Sequence, residues 1–148
     1  MGTHYQGTEK EIRALNAYIK LLRAAESVTA RLSQELRDDD LTMSQFGILE
    51  ALLHLGPMYQ RELGRKLLKS SGNITMVIDN LEKRNLVQRQ RETEDRRVVT
   101  IHLTEDGRNL IQEIFPRHLQ GIVAAMNRLV PQEQDTLGQL CRKVGLGR

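Results

Sequence analysis

Near the start of the chain, Ile12, Leu15, Ile19, Leu22, Val28, Leu32 and Leu36 recur at intervals of three, four or sums of these. That is the period of one continuous helix about 28 residues long, which at about 1.5 Å per residue would span roughly 40 Å. One small core cannot cover a helix of that length, so part of its apolar face is expected to meet another chain. The helix starts at T-E-K-E, where Thr8 as N-cap and Glu11 three residues later form a capping box. The acidic run Asp38-Asp39-Asp40 that follows reads as a solvated helix terminus rather than a site.

The segment L-T-M-S-Q-F repeats the capping logic with Thr42 and Gln45, and the helix it opens carries Phe46, Leu49, Leu52 and Leu53 over residues 43–55. Gly56-Pro57 stops it. A short third pattern with Leu63, Leu67 and Leu68 ends before Ser70-Ser71-Gly72, and a fourth helix follows with Ser71 as its expected N-cap. Three short helices joined by tight turns make a helix-turn-helix arrangement. From Leu86 the character changes. L-V-Q-R-Q-R and V-V-T-I-H-L, rich in β-branched residues, flank the polar E-T-E-D-R-R, which predicts a β-hairpin with strands near 87–91 and 98–103. Thr104 then caps a helix with Leu110, Ile111, Ile114, Leu119, Ile122, Val123, Met126 and Leu129 on its apolar side. Pro116 lies inside that pattern and is expected to kink or split it. The last helix starts near Pro131 and carries Leu137, Leu140 and Val144. The expected fold is mainly α with a small β-hairpin wing: a winged helix-turn-helix plus helices from both termini, in a single domain over 1–148.

Composition removes several function classes. One Cys in 148 residues cannot build a disulfide framework, and four His on different predicted elements show no paired ligand spacing, so no metal and no cofactor are expected. No apolar run approaches the roughly 20 residues of a membrane span, and the opening M-G-T-H-Y-Q-G lacks an apolar secretory region, so a cytoplasmic protein with no membrane contact is expected. No phosphate loop, nucleophile elbow or paired-His zinc motif occurs, and no catalytic residues are assigned: the chain is not expected to be an enzyme. Cys141 falls on the apolar pattern of the last helix, beside Leu140, and is expected to be a buried small side chain.

A helix-turn-helix followed directly by a charged hairpin is the layout of a winged helix, and here the sequence resembles the MarR (multiple antibiotic resistance regulator) family of transcription factors. The matching stretches are LTMSQFGILEALL, QRELGRKLLKSSGNITMVIDNLEKRNLVQR and TEDRRVVTIHLTEDGR. The last joins a D-x-R wing tip, Asp95-Arg96-Arg97, to an L-T-x-x-G helix start and is the most specific; the likeness covers roughly residues 8–145. The resemblance implies a homodimer built from residues 8–37 and 104–146, with a DNA-binding lobe over 43–103 that grips a pseudo-palindromic double-stranded operator. It also implies a small aromatic or anionic effector in a cleft between the dimerisation helices and the winged helix. Tyr18, Arg23, Met43, Phe46 and His54 lie on the elements that would line it, each at least as well read as ordinary core or surface.

Charge agrees with the DNA-binding implication. Residues 60–97 hold ten Lys and Arg against six carboxylates, a surplus of four, whereas the remainder holds twelve against thirteen. The positive excess of the whole chain is thus concentrated on the proposed lobe, as phosphate contact requires. On the fourth helix, Ile74, Val77, Ile78 and Leu81 fall on one side and must face the core. Asn73, Met76, Asp79, Asn80 and Lys83 are left outside. Asn73 can bond adenine bidentately, Thr75 can reach a base edge or phosphate, and Met76 can pack on a thymine methyl. Ser70 and Ser71 suit phosphate contact at the helix start, and simple capping is an equally good reading of Ser71. Asp79 and Asp95 would repel phosphate if bare. Asp95 is therefore expected to orient Arg97, and Asp79 to pair with a wing or neighbouring arginine, which would fix the wing's angle. Arg97, and secondarily Arg96, would then enter the flanking minor groove. The expected function is a sequence-specific transcriptional regulator, a repressor released by an effector. The alternatives are a winged-helix protein-interaction module, which should show an apolar outward face, and a ligand or redox sensor acting through Cys141.

Overall fold

A computed structural model describes residues 2–67, 71–91, 94–95 and 97–147. Their order is α1 (Glu9–Arg37), α2 (Met43–Leu55), β1 (Met58–Tyr59), α3 (Gln60–Lys66), α4 (Ser71–Lys83), β2 (Val87–Arg91), β3 (Val99–Leu103), α5 (Glu105–Met126) and α6 (Pro131–Leu146). Both capping boxes form. The Thr8 and Thr42 hydroxyls accept from the Glu11 and Gln45 amides, and those side chains reach back to the Thr8 and Thr42 amides at 2.9 and 3.0 Å.

Helices α1 and α4 end with the same device. Asp40 (φ 54°) and Asn85 (φ 58°) occupy the left-handed region, and the next residue, Leu41 or Leu86, bonds back to Leu36 or Leu81 at 3.1 and 3.0 Å. The left-handed residue reverses the chain so that the following leucine folds under the helix it has just left. Both leucines are buried, at 3% and 6% exposure.

The sheet has the order β1-β3-β2, antiparallel throughout. Met58 pairs with Ile101, and the hairpin runs in register from Val87 opposite Leu103 to Arg91 opposite Val99. Strand β1 was not expected from the sequence: two residues carry no period of their own and become a strand only because β3 offers an edge. The core lies under this sheet, where Ile48, Leu49, Leu52, Leu63, Ile78, Leu81 and Ile101 are sealed from solvent and Ile111 and Ile114 of α5 join them. The start of α5 therefore packs with the lobe although it follows the wing in sequence.

Three expectations change. Pro116 does not split its helix, since α5 runs unbroken from Glu105 to Met126. Pro116 and Gln112, whose carbonyl loses its partner, are both exposed, so that carbonyl faces the side open to water. The Asp38–Asp40 turn is not merely solvated: Asp39 pairs with Arg117 of α5 at 3.1 Å, and the Asp40 carbonyl accepts from Arg84 at 2.6 Å. Cys141 is exposed rather than buried, because the chain offers α6 nothing to pack on and none of its residues is buried. Among the described residues, no helix is long and apolar enough to cross a membrane.

Candidate nucleic-acid interface

Helix α4 seats itself by its apolar side. Ile74, Val77, Ile78 and Leu81 are 0–9% exposed. Gly72, Asn73, Thr75, Met76, Asn80 and Lys83 face outward, and Met76 is 59% exposed. Ser71, expected as the N-cap, is the first described residue of α4, and the residues before it, 68–70, lie outside the described ones. Ser70 and Arg96, both expected at the interface, lie outside the described residues, as does the side chain of Ser71.

At the wing tip Asp95 wraps around the arginine two residues on. It accepts from the Arg97 amide at 3.0 Å, from Nε at 3.1 Å and from Nη2 at 3.2 Å. These bonds to the Arg97 side chain and backbone hold the Asp95 carboxyl below its ordinary 3.8. The Arg97 side chain is 91% exposed. One edge of its guanidinium is held by the Asp95 carboxylate while the side chain as a whole stays open to solvent.

Asp79 pairs with Arg89, on the strand that leads into the wing, at 2.6 Å. The same guanidinium also reaches Glu82 at 3.2 Å, the Thr75 carbonyl at 3.2 Å and Gln60 Oε1 at 3.4 Å. Gln60 in turn donates to the Thr75 hydroxyl at 2.9 Å, so Thr75, expected to contact DNA, is already held from behind. Sequence reasoning singled out neither Arg89 nor Gln60. The signal for Arg89 was there: β2 alternates, and Arg89 shares the inward side with Val87. Nothing local marked Gln60, whose role depends on α4 crossing it.

The expected effector residues lie on α1 and α2. Tyr18 is 61% exposed, Phe46 is buried with its ring 4.0 Å from that of His118, and His54 sits by Glu50 and the ring of Phe115. A cleft of about 200 Å³ lies instead between α1 and α5, lined by Val28, Arg31, Leu32, Glu35, Gly121, Ala124, Ala125 and Arg128. Among the described residues, no group of His, Cys, Asp and Glu could hold a metal ion.

The family model described as the MarR family matches residues 41–99, from the buried leucine before α2 to the first residue of β3. The chain is 36% identical to the uncharacterized HTH-type transcriptional regulator YkoM of Bacillus subtilis (strain 168), over 93% of this chain and 90% of that one. Among solved structures, the MarR family regulator Sco3205 of Streptomyces coelicolor in complex with DNA superposes with a TM-score of 0.86 at 23% identity, covering 99% of this chain and 92% of that one. BpsR of Bordetella bronchiseptica, whose DNA binding is regulated by 6-hydroxynicotinic acid, superposes with a TM-score of 0.80 at 29% identity, covering 87% and 98%.

Proposed function

The chain belongs to the MarR family of DNA-binding transcriptional regulators, and from that premise we propose that it acts as a homodimeric repressor of a pseudo-palindromic operator, released by a small effector. In this reading residues 43–103 form the DNA-binding lobe, while 8–37 and 104–146 form the dimerisation region. The observation that carries it is the outward face of the lobe. It is mostly polar along α4, with Met76 its one large apolar side chain and Lys83 at its end, and it is followed by an exposed arginine at the wing tip, on the part of the chain that holds the positive surplus. A protein-docking face would be apolar there.

Helix α4 enters the major groove and offers Asn73, Thr75, Met76, Asn80 and Lys83, with Ser70 and Ser71 on the phosphates at its start. Arg97, and secondarily Arg96, enters the minor groove on the flank, oriented by Asp95, while Asp79 acts through Arg89 on the wing's angle. The case for a dimer is apolar exposure: Leu119, Val123, Leu137, Leu140 and Val144 are 39–71% exposed on α5 and α6, an apolar exposure that a second copy would cover. Two lobes must then present their recognition helices roughly 34 Å apart, one turn of B-form DNA.

An effector releases DNA only if it binds the mis-spaced dimer better than the competent one. The α1/α5 cleft, whose lining sets Arg31 and Arg128 against the single carboxylate of Glu35, suits a small anion with an apolar body, in line with the effector of BpsR. The test is selection of bound sequences from random duplexes with the purified protein. A palindrome with half-sites about one turn apart is expected, and enrichment of no palindrome overturns the reading.

A further inference from the structure

The apolar side of α4 holds the helix to the core without fixing its pitch. Burial of Ile74, Val77, Ile78 and Leu81 is non-directional and tolerates small slides and rotations of the helix on its bed. Bonds with defined geometry do not tolerate them. A cluster of such bonds between α4 and the sheet side meets at Arg89 and Gln60. Arg89 takes Asp79 at 2.6 Å, Glu82 at 3.2 Å and the Thr75 carbonyl at 3.2 Å, and its own amide donates to Glu82 at 3.0 Å. Gln60 takes the Thr75 hydroxyl at 2.9 Å and accepts from Arg89 Nε at 3.4 Å.

Residues 75, 79 and 82 form one stripe two turns long, beside the outward stripe of Asn73, Met76, Asn80 and Lys83. The anchors are rigid in turn. Arg89 is paired with Ile101 inside the hairpin, and Gln60 follows Tyr59, which β1 fastens to β3. We propose that Arg89 and Gln60 are positioning residues for sequence readout: they fix the pitch of α4 against the sheet, and so decide which base edges Asn73, Met76 and Asn80 can reach, without touching DNA themselves. This rests on the DNA reading above and adds to it two residues that lie behind the reading face.

The charge arrangement supports a positioning role over a phosphate contact. The Arg89 side chain is 18% exposed and faces two carboxylates, so its charge is spent inside the protein, whereas Arg97 is 91% exposed. The same guanidinium sits at the root of the wing. A shift of α4 against Arg89 therefore moves the helix and the wing relative to each other, and both readers lose register together.

Gln60→Ala and Arg89→Lys separate these roles. Binding is measured by fluorescence anisotropy across a salt series, on the duplex that the wild type enriches from a random pool and on a random duplex of equal length, after circular dichroism has verified the fold. A correct base pair is ordinarily worth about tenfold in affinity, so Arg89→Lys should lower affinity for the selected duplex by about tenfold or more and Gln60→Ala by several-fold. Binding to the random duplex and the slope of affinity against salt should be unchanged in both. A merely destabilised protein would lose affinity for both duplexes equally, which refutes the proposal, as does full retention of discrimination in both variants. Should Arg89→Lys fail to fold, Gln60→Ala decides alone. A salt slope reduced by about one phosphate in an Arg89→Gln variant would make Arg89 a DNA contact and also overturn the proposal. Failure of the wild type to enrich any duplex would instead strike the DNA reading itself, and is seen before any variant is made.

Discussion

Gly107 offers a test in which the sign of the effect is informative. Replacing a helical glycine with alanine ordinarily stabilises a protein by about 0.4–1 kcal/mol, because the unfolded chain loses freedom and alanine favours the helix. At Gly107 a Cβ would fall inside the van der Waals surface of the Leu86 carbonyl oxygen, 2.9 Å from its carbon and 3.2 Å from its Cα. That obstacle is backbone, and it is pinned from both sides. Leu86 N–H bonds to Leu81 at 3.0 Å, its carbonyl accepts from Thr104 N–H at 3.1 Å, and the Thr104 hydroxyl donates to Asn85 at 2.6 Å while capping Gly107 at 3.0 Å. Overpacking costs about 1–3 kcal/mol, and with no side chain able to yield the upper end applies. Subtracting at most about 1 kcal/mol for helix preference leaves a net loss of about 2 kcal/mol for Gly107→Ala. For a chain of this size that lowers the melting temperature by roughly 4–8 °C. Thermal and urea unfolding, at matched protein concentration, reads it directly. Gly72→Ala is the control, since a Cβ there meets no atom within 4 Å and should leave stability equal or higher. If Gly107→Ala were as stable as the parent, the close approach of α5 to the end of α4 would not be what the L-T-x-x-G segment encodes.

Three further outcomes follow from the same geometry. Arg97→Ala should weaken operator binding and reduce the salt slope by about one; wild-type affinity across a salt titration would refute its groove contact. His118 is 5% exposed and its Nδ1 has no hydrogen-bond partner among the described residues. Burial holds its pKa below the ordinary 6.5, with Glu35 and Glu50 pulling weakly the other way, so the unfolded chain takes up the proton first. Stability should therefore be full above about pH 6.5 and fall as acidification carries the protein towards the lower folded pKa, and the pH dependence of urea midpoints should flatten in His118→Phe. Leu140→Glu combined with Val144→Glu should sediment as a monomer and lose preference for palindromic over single half-sites; an unchanged dimer mass would remove α6 from the interface.

Legibility tracked locality. The capping boxes at Thr8 and Thr42 need only residues three apart, and both formed. The hairpin needed only β-branched runs around a charged loop, and its strands lie at 87–91 and 99–103. The buried side of α4 followed from its 3.6-residue period. The pairing of Asp95 with Arg97 was readable because they are two positions apart. Asp79 was expected to find an arginine, but which one depended on how α4 crosses β2. Gln60 escaped notice because its partners lie 15 and 29 residues away.

The sequence by itself thus determined the elements, their caps, the buried and outward sides of α4, the concentration of charge on one lobe and, through the segments around the wing, the family. Each of these is set by neighbours within a turn or a hairpin. The tertiary structure alone decided that two residues at Met58 become a strand, that the Asp39–Asp40 corner ties α1 to both α4 and α5, that Cys141 stands exposed, and that one guanidinium joins helix, sheet and wing. Those features depend on where separate elements meet, and a residue's type states what it can bond to without stating what will stand beside it. The same holds for the long first helix. Its period announced an apolar face larger than one chain could cover, and the fold then showed which stretches of α1, α5 and α6 this chain leaves exposed.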